Sequence, residues 1–147
     1  HSFPTRRSSD LSLRNYQRTL EDYSDYVEIA RNAGAGETLD RIIPEIYNEA
    51  MFPGTAMLYS FPSYVYSLWQ EYSVEELEYI ASFCKEKGIP AATVYWEYWS
   101  EETEKIFEKN GISLYVYTVN DRDQARRYIS QGAEGICTDF LTAEDLW

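Results

Sequence analysis

Histidine, cysteine and positive charge are scarce in this 147-residue chain, which has one histidine, two cysteines and 13 basic residues against 25 acidic ones. With His1 alone, no histidine-based metal site, catalytic triad or paired acid–base system can be assembled from these residues. Cys84 and Cys137 lie far apart, without the short spacing of a zinc or redox motif, and both are expected as buried free thiols. A formal charge of −12 repels polyanions over the surface as a whole, so nucleic acid is not an expected partner. No apolar run approaches the roughly 18 residues of a membrane span, and no stretch reads as a basic amphipathic helix. No membrane span is expected.

What is present supports a packed core: 44% of the residues are apolar and 26% charged, in a chain long enough for one ordinary domain. The first ten residues, HSFPTRRSSD, lack periodicity and the apolar run of a signal peptide, and are expected to be a non-native or disordered leader. The fold is therefore read from residue 11 onward. The compartment stays unassigned, with the cytoplasm as the default.

From residue 73 one pattern recurs three times. Ser73 opens SVEELEYIASFCKEKG, in which Glu76 completes a capping box, Leu77, Ile80, Ala81 and Cys84 share a face, and Gly88 supplies the stop. AATVYW follows as a strand. Ser100 opens SEETEKIFEKNG ahead of ISLYVYT, and Asp121 opens DRDQARRYISQG, with Gln124 as box partner, ahead of GICTDF. Upstream, RIIPEIYN and SYVYSLW read as two more strands, after a helix that ends at Gly34. Pro44 suits the first of these strands to an edge, since proline cannot donate in a central ladder.

Strict alternation of helix and strand with short loops produces βαβ units, so the sheet is expected to be mainly parallel. Periodicity leaves two architectures open, a doubly wound sheet and the later part of an eight-stranded barrel. In both, ligands bind at the C-terminal strand ends. The polar residues there, Thr118 to Asn120 and Thr138-Asp139, therefore converge on one rim. By alternation Tyr115, Tyr117 and Val119 point one way, with Leu114, Val116 and Thr118 on the other side. Asp121 and Thr142 read as helix caps, Asn120 as either a loop-holding or a pocket residue, and Asp139 as a carboxylate that needs a partner. WEYW, at 96–99, offers rings that either cover the sheet rim or stack on a sugar-like ligand.

The run Tyr117-Thr118-Val119-Asn120, a helix, then Gly132, Gly135, Ile136, Thr138 and Asp139, resembles the closing section of the glycerophosphodiester phosphodiesterase family. RIIPEIYN resembles an earlier strand of one bacterial branch, where glutamine is usual at the position of Glu45. The resemblance implies a partial TIM (β/α)8 barrel, about strands four to eight with their helices, occupying residues 11–147 as the C-terminal portion of a barrel of about 250 residues. It implies a parent hydrolase that cleaves glycerophosphodiesters to glycerol phosphate and an alcohol, with paired histidines and a divalent cation, Mg²⁺ or Ca²⁺. The family's H-R-G, E-x-D and H-D segments, which carry those groups, have no match here. No catalytic residue and no metal ligand is thus assigned to this chain. The expected substrate-binding residues are Tyr117, Asn120 and Glu45. A carboxylate 4 Å from a phosphodiester repels it by roughly 4 kcal/mol at an effective dielectric near 20, so Glu45 is expected turned away or solvated, a metal-ligand role being the sharper alternative. Two further expectations follow. The open sheet edges favour self-association, and a non-catalytic binding or structural module on the same fold is the competing reading, with a carbohydrate-binding role for WEYW as a third.

Overall fold

A computed structural model describes residues 6–147, with side chains from Tyr16 onward. The chain divides into two compact units, one made of the segment up to Pro44 with Asn48–Pro62, the other of Glu45–Tyr47 with Ser63–Trp147.

The first unit is helical: α1 (Arg6–Asn32), a 3-10 segment (Gly36–Arg41) and α2 (Met51–Leu58). Its α1 starts within the segment expected to be a leader, of which residues 1–5 lie outside the described residues. Polar contacts tie these elements together: Tyr16 Oη donates to the Ala50 carbonyl at 3.0 Å, and Tyr59 Oη to Asp40 Oδ1 at 2.6 Å. The α2 helix was not expected.

The second unit holds five strands, β1 (Glu45–Ile46), β2 (Val65–Leu68), β3 (Ala91–Tyr95), β4 (Ser113–Tyr117) and β5 (Gly135–Ile136). Between the later strands lie α3 (Val74–Lys87), α4 (Glu101–Lys109) and α5 (Arg122–Ser130), and α6 (Ala143–Leu146) follows β5. The caps explain the helix boundaries. Ser73 accepts from the Glu76 amide at 3.2 Å while Glu76 accepts from the Ser73 amide at 2.7 Å, and Gly88 closes α3 in the left-handed region at φ 69°. Ser100 caps α4, and Thr142 with Asp145 forms a capping box on α6. At α5 only half of the expected box exists: Asp121 Oδ1 accepts from the Gln124 amide at 2.8 Å, without a returning side-chain bond.

Every strand pair is parallel, and the order is β1-β2-β3-β4-β5. That order decides between the two architectures. A doubly wound sheet reverses direction at a switch point, whereas sequential order with right-handed crossovers puts all helices on one face. Ile46, Tyr66, Leu68, Ala92, Val94, Leu114 and Val116 line that face and are buried, with α3 presenting Leu77, Ile80, Ala81 and Cys84, and α4 presenting Phe107. The sheet is a partial, unclosed TIM barrel, with β1 and β5 at its edges. Pro44 immediately precedes the edge strand β1, where its missing N–H costs no ladder bond. Among the described residues no helix is long and apolar enough to cross a membrane.

Candidate functional site

In-register pairing also defines the second face of the sheet: Glu45, Val65, Ser67, Thr93, Tyr95, Tyr115 and Tyr117 alternate with the buried set. Most are half-buried or exposed, although Ser67 is buried. Gly135 belongs to this face as well. A Cβ there would come within 2.7 Å of the Tyr115 ring, so only glycine lets that ring lie across β5.

Tyr117 leans across β3. Its phenol donates to the Leu68 carbonyl at 3.4 Å, and its ring lies 5.8 Å from that of Tyr95 at an interplanar angle of 57°. Desolvation raises its pKa, the Ser67 bond opposes this, and the charge of Glu45 raises it further. The Cys137 thiol is also pushed up, first by desolvation and then by Glu45. Cys84 is buried as expected, but Cys137 is exposed: it stands just past the end of the two-residue edge strand β5, where no further strand covers it. Its sulfur is nonetheless crowded enough to lose hydration.

Glu45 stands at the far border of the same face. Through Val65 and Ala91, Glu45 aligns with Ser113, three strands away and four residues before Tyr117. In a flat sheet their Cα atoms would stand roughly 19 Å apart, from a rise of about 3.3 Å per residue and a strand spacing of about 4.8 Å. Glu45 is exposed, yet it is directed toward the face that carries Tyr117.

Beyond the strand ends the loops lock together. Asn120 Nδ2 donates to Asp139 Oδ2 at 2.8 Å, while Asn120 Oδ1 accepts from Thr138 Oγ1 and from the Asp139 amide, both at 3.0 Å. Asp139 thereby obtains the partner its position demanded, and Asn120 holds the loop. Tyr117, Asn120 and Asp139 emerge at the same end of the sheet, as parallel strands require. Alternation fails just past β4, where Thr118 is exposed and Val119 is buried rather than grouped with Tyr117, because the Val119 amide turns to donate to the Cys137 carbonyl at 3.0 Å.

The WEYW rings pack largely against neighbouring rings. Trp99 packs edge-on against Tyr128 at 5.8 Å and donates to Gln131 Oε1 at 3.0 Å, covering α5. Tyr98 and Trp96 lie 5.8 and 5.7 Å from Tyr95, and Trp96 remains 37% exposed at the mouth. Sequence reasoning missed Ser67 and Tyr95 as neighbours of Tyr117. Period-two alternation in β2 and β3 carried their common face, but only the register places them beside that phenol. Among the described residues no group of three or more His, Cys, Asp or Glu side chains comes together to hold a metal ion.

Comparison with known proteins adds to this geometry. The model of the glycerophosphoryl diester phosphodiesterase family matches residues 55–143. A crystal structure of a Silicibacter pomeroyi DSS-3 protein, provisionally assigned as a glycerophosphoryl diester phosphodiesterase, superimposes with a TM-score of 0.65 at 15% identity, over 87% of this chain and 43% of its own. The chain thus spans less than half the length of that relative in fold. No curated protein matches it.

Proposed function

Because the chain belongs to the glycerophosphoryl diester phosphodiesterase family, we propose that residues 11–147 are the C-terminal portion of a TIM-barrel hydrolase that cleaves glycerophosphodiesters to glycerol phosphate and an alcohol. One observation supports this above the rest: five parallel strands stand in sequential order in an unclosed sheet, within a fold that matches over 87% of this chain and 43% of the other. On this reading Tyr117, Asn120 and Glu45 belong to the substrate rim. Tyr117 offers a ring face and a phenol oxygen, Asn120 fixes the loop that borders the mouth, and Glu45 sets the local field. None of them moves a proton in the reaction. A divalent cation in the parent enzyme would offset negative charge on the phosphoryl oxygens. The described residues of this chain do not form a site for it, and the proposal assigns its ligands to the missing strands.

This chain alone is expected to be inactive. Purified chain supplied with a glycerophosphodiester and Mg²⁺ or Ca²⁺ should release no glycerol phosphate; hydrolysis that follows the chain through repurification would overturn the proposal. The open edges of β1 and β5 should also draw chains together, so a monodisperse monomer at high concentration in light scattering counts against them.

The single histidine favours a second reading, a non-catalytic binding module on the same fold. The two readings separate on the in-frame upstream coding sequence. H-R-G, E-x-D and H-D segments there support the enzyme, and a start codon just before Leu11 supports the module.

A further inference from the structure

We propose that the loops at the C-terminal end of the sheet form a docking surface for an extended polypeptide segment with arginines at alternate positions. The inference is independent of the hydrolase reading, because it uses exposed rings and carboxylates and no contact to a diester.

Exposed apolar side chains are concentrated at this end. Of the six large hydrophobic residues that the second unit leaves exposed, Trp69, Val74, Trp96 and Phe140 follow strand ends or open the next helix; only Tyr79, midway along α3, and the last residue, Trp147, do not. The strands β2 and β3, which lead into Trp69 and Trp96, each have both neighbours already, so a strand added at either border of the sheet would pair with neither. Trp69 is 44% exposed and Phe140 68%. Singly such residues need no partner. Grouped at one end, with the same chemistry beside each, they mark one.

Charge identifies the occupant. Each exposed ring has an exposed carboxylate in its own loop: Glu71 two residues past Trp69, Glu97 next to Trp96, and Asp139 next to Phe140. The loops 69–73, 96–100, 118–121 and 137–142 contain no Lys, Arg or His. The first turns of α3 and α4 add Glu75, Glu76, Glu101 and Glu102 at the same end, where Arg122 at the start of α5 is the exception. Lys85, Lys87 and Lys109 lie in the last turns of α3 and α4, at the opposite end. A ring beside a carboxylate suits a guanidinium, which stacks on the ring face and donates to the carboxylate oxygens. Nucleic acid and anionic lipid are repelled from the same loops.

Spacing sets the register of the partner. From the β2 loop to the β5 loop there are three strand spacings, roughly 14 Å at about 4.8 Å each. An extended chain presents alternate side chains on one side about 6.8 Å apart, so arginines at i, i+2 and i+4 also span roughly 14 Å. The outer two meet the Trp69 and Phe140 loops. The middle one falls about 2 Å from the line of β3, a distance its flexible side chain takes up to reach Trp96 and Glu97.

The test is calorimetric titration of the whole chain with two peptides of equal charge, R-S-R-S-R and R-R-R-S-S. Their comparison separates docking from the general attraction of a polycation to a protein of charge −12, and it needs no variant to fold. The alternating peptide should bind saturably, one per chain, and about fivefold or more tightly than the contiguous one. Trp69→Ala and Phe140→Ala should each weaken it by about twofold to fivefold, as should Glu97→Gln at low salt, with unchanged far-UV circular dichroism. Tyr79→Ala and Glu78→Gln remove an exposed ring and an exposed carboxylate from the middle of α3, and should leave the affinity as it was. Equal affinity for the two peptides, equal losses in Tyr79→Ala and Trp69→Ala, or saturable binding of phosphatidylcholine vesicles in place of the peptide would each overturn the proposal.

Discussion

Asn120→Ala tests whether the mouth is held by side-chain bonds between two loops. The substitution removes three bonds, of which the 2.8 Å contact to Asp139 Oδ2 involves a carboxylate. Neutral bonds contribute about 0.5–1.5 kcal/mol net and bonds to charged groups about 1.5–3. Water can replace part of this, since Asn120 and Asp139 are both exposed. The expected cost is therefore near the low end of the sum, about 2 kcal/mol. Urea unfolding followed by far-UV circular dichroism should show a lower midpoint with an unchanged slope. A double-mutant cycle with Asp139→Ala isolates the pair, and a coupling of about 1 kcal/mol is expected because the two residues share bonds. A cost within about 0.5 kcal/mol of zero, typical of a plain surface site, together with additive single mutants, would refute the assignment of Asn120 as the clasp.

Other outcomes follow from the same structure. Phe107→Ala on α4 empties a site with 0% exposure and should cost about 3–5 kcal/mol, read as a fall in the urea midpoint. Ser73→Ala removes one half of the α3 capping box and should cost about 1 kcal/mol in the same assay. Desolvation and the charge of Glu45 hold the Tyr117 phenol protonated above its ordinary value of 10.0, so the folded state binds this proton more tightly than the unfolded state. Its contribution to stability is fully present below that ordinary value and is lost as pH rises through the folded one, seen as a urea midpoint that declines in alkali. Glu45→Gln should lower the folded pKa of both Tyr117 and Cys137. Alkylation of Cys137 should then speed up at mildly alkaline pH, and an unchanged rate would place Glu45 away from the thiol.

Local chemistry in the sequence located α3, α4 and α5, because Ser73, Ser100 and Asp121 act through bonds spanning only three residues. The helix α2 escaped notice since MFPGTAML contains two residues that ordinarily break helices. Pro53 falls in the first turn, where an absent N–H breaks no bond. Gly54 is accommodated by packing, because a Cβ there would meet Leu20 Cδ1 at 2.9 Å. The shared mouth was legible because parallel strands deliver their ends to one side. Thr118 to Asn120 and Thr138-Asp139 belong to neighbouring strands, so their meeting required only the correct order. Periodicity alone left the strand order open, and the family resemblance supplied it; the side-chain neighbours across the sheet were not legible. Those depend on register, and with it went the reach of Tyr117 across β3 to the Leu68 carbonyl and its contact with Tyr95.

The sheet order also implies uneven resistance to local opening. Strands β3 and β4 have neighbours on both sides and five residues each, while β1 and β5 have two residues and one neighbour. Amide hydrogens should therefore exchange fastest at the borders and slowest in the middle. Glu45 lies on such a border and Tyr117 at the end of a central strand, so a molecule bound against β1 would slow exchange at Ile46.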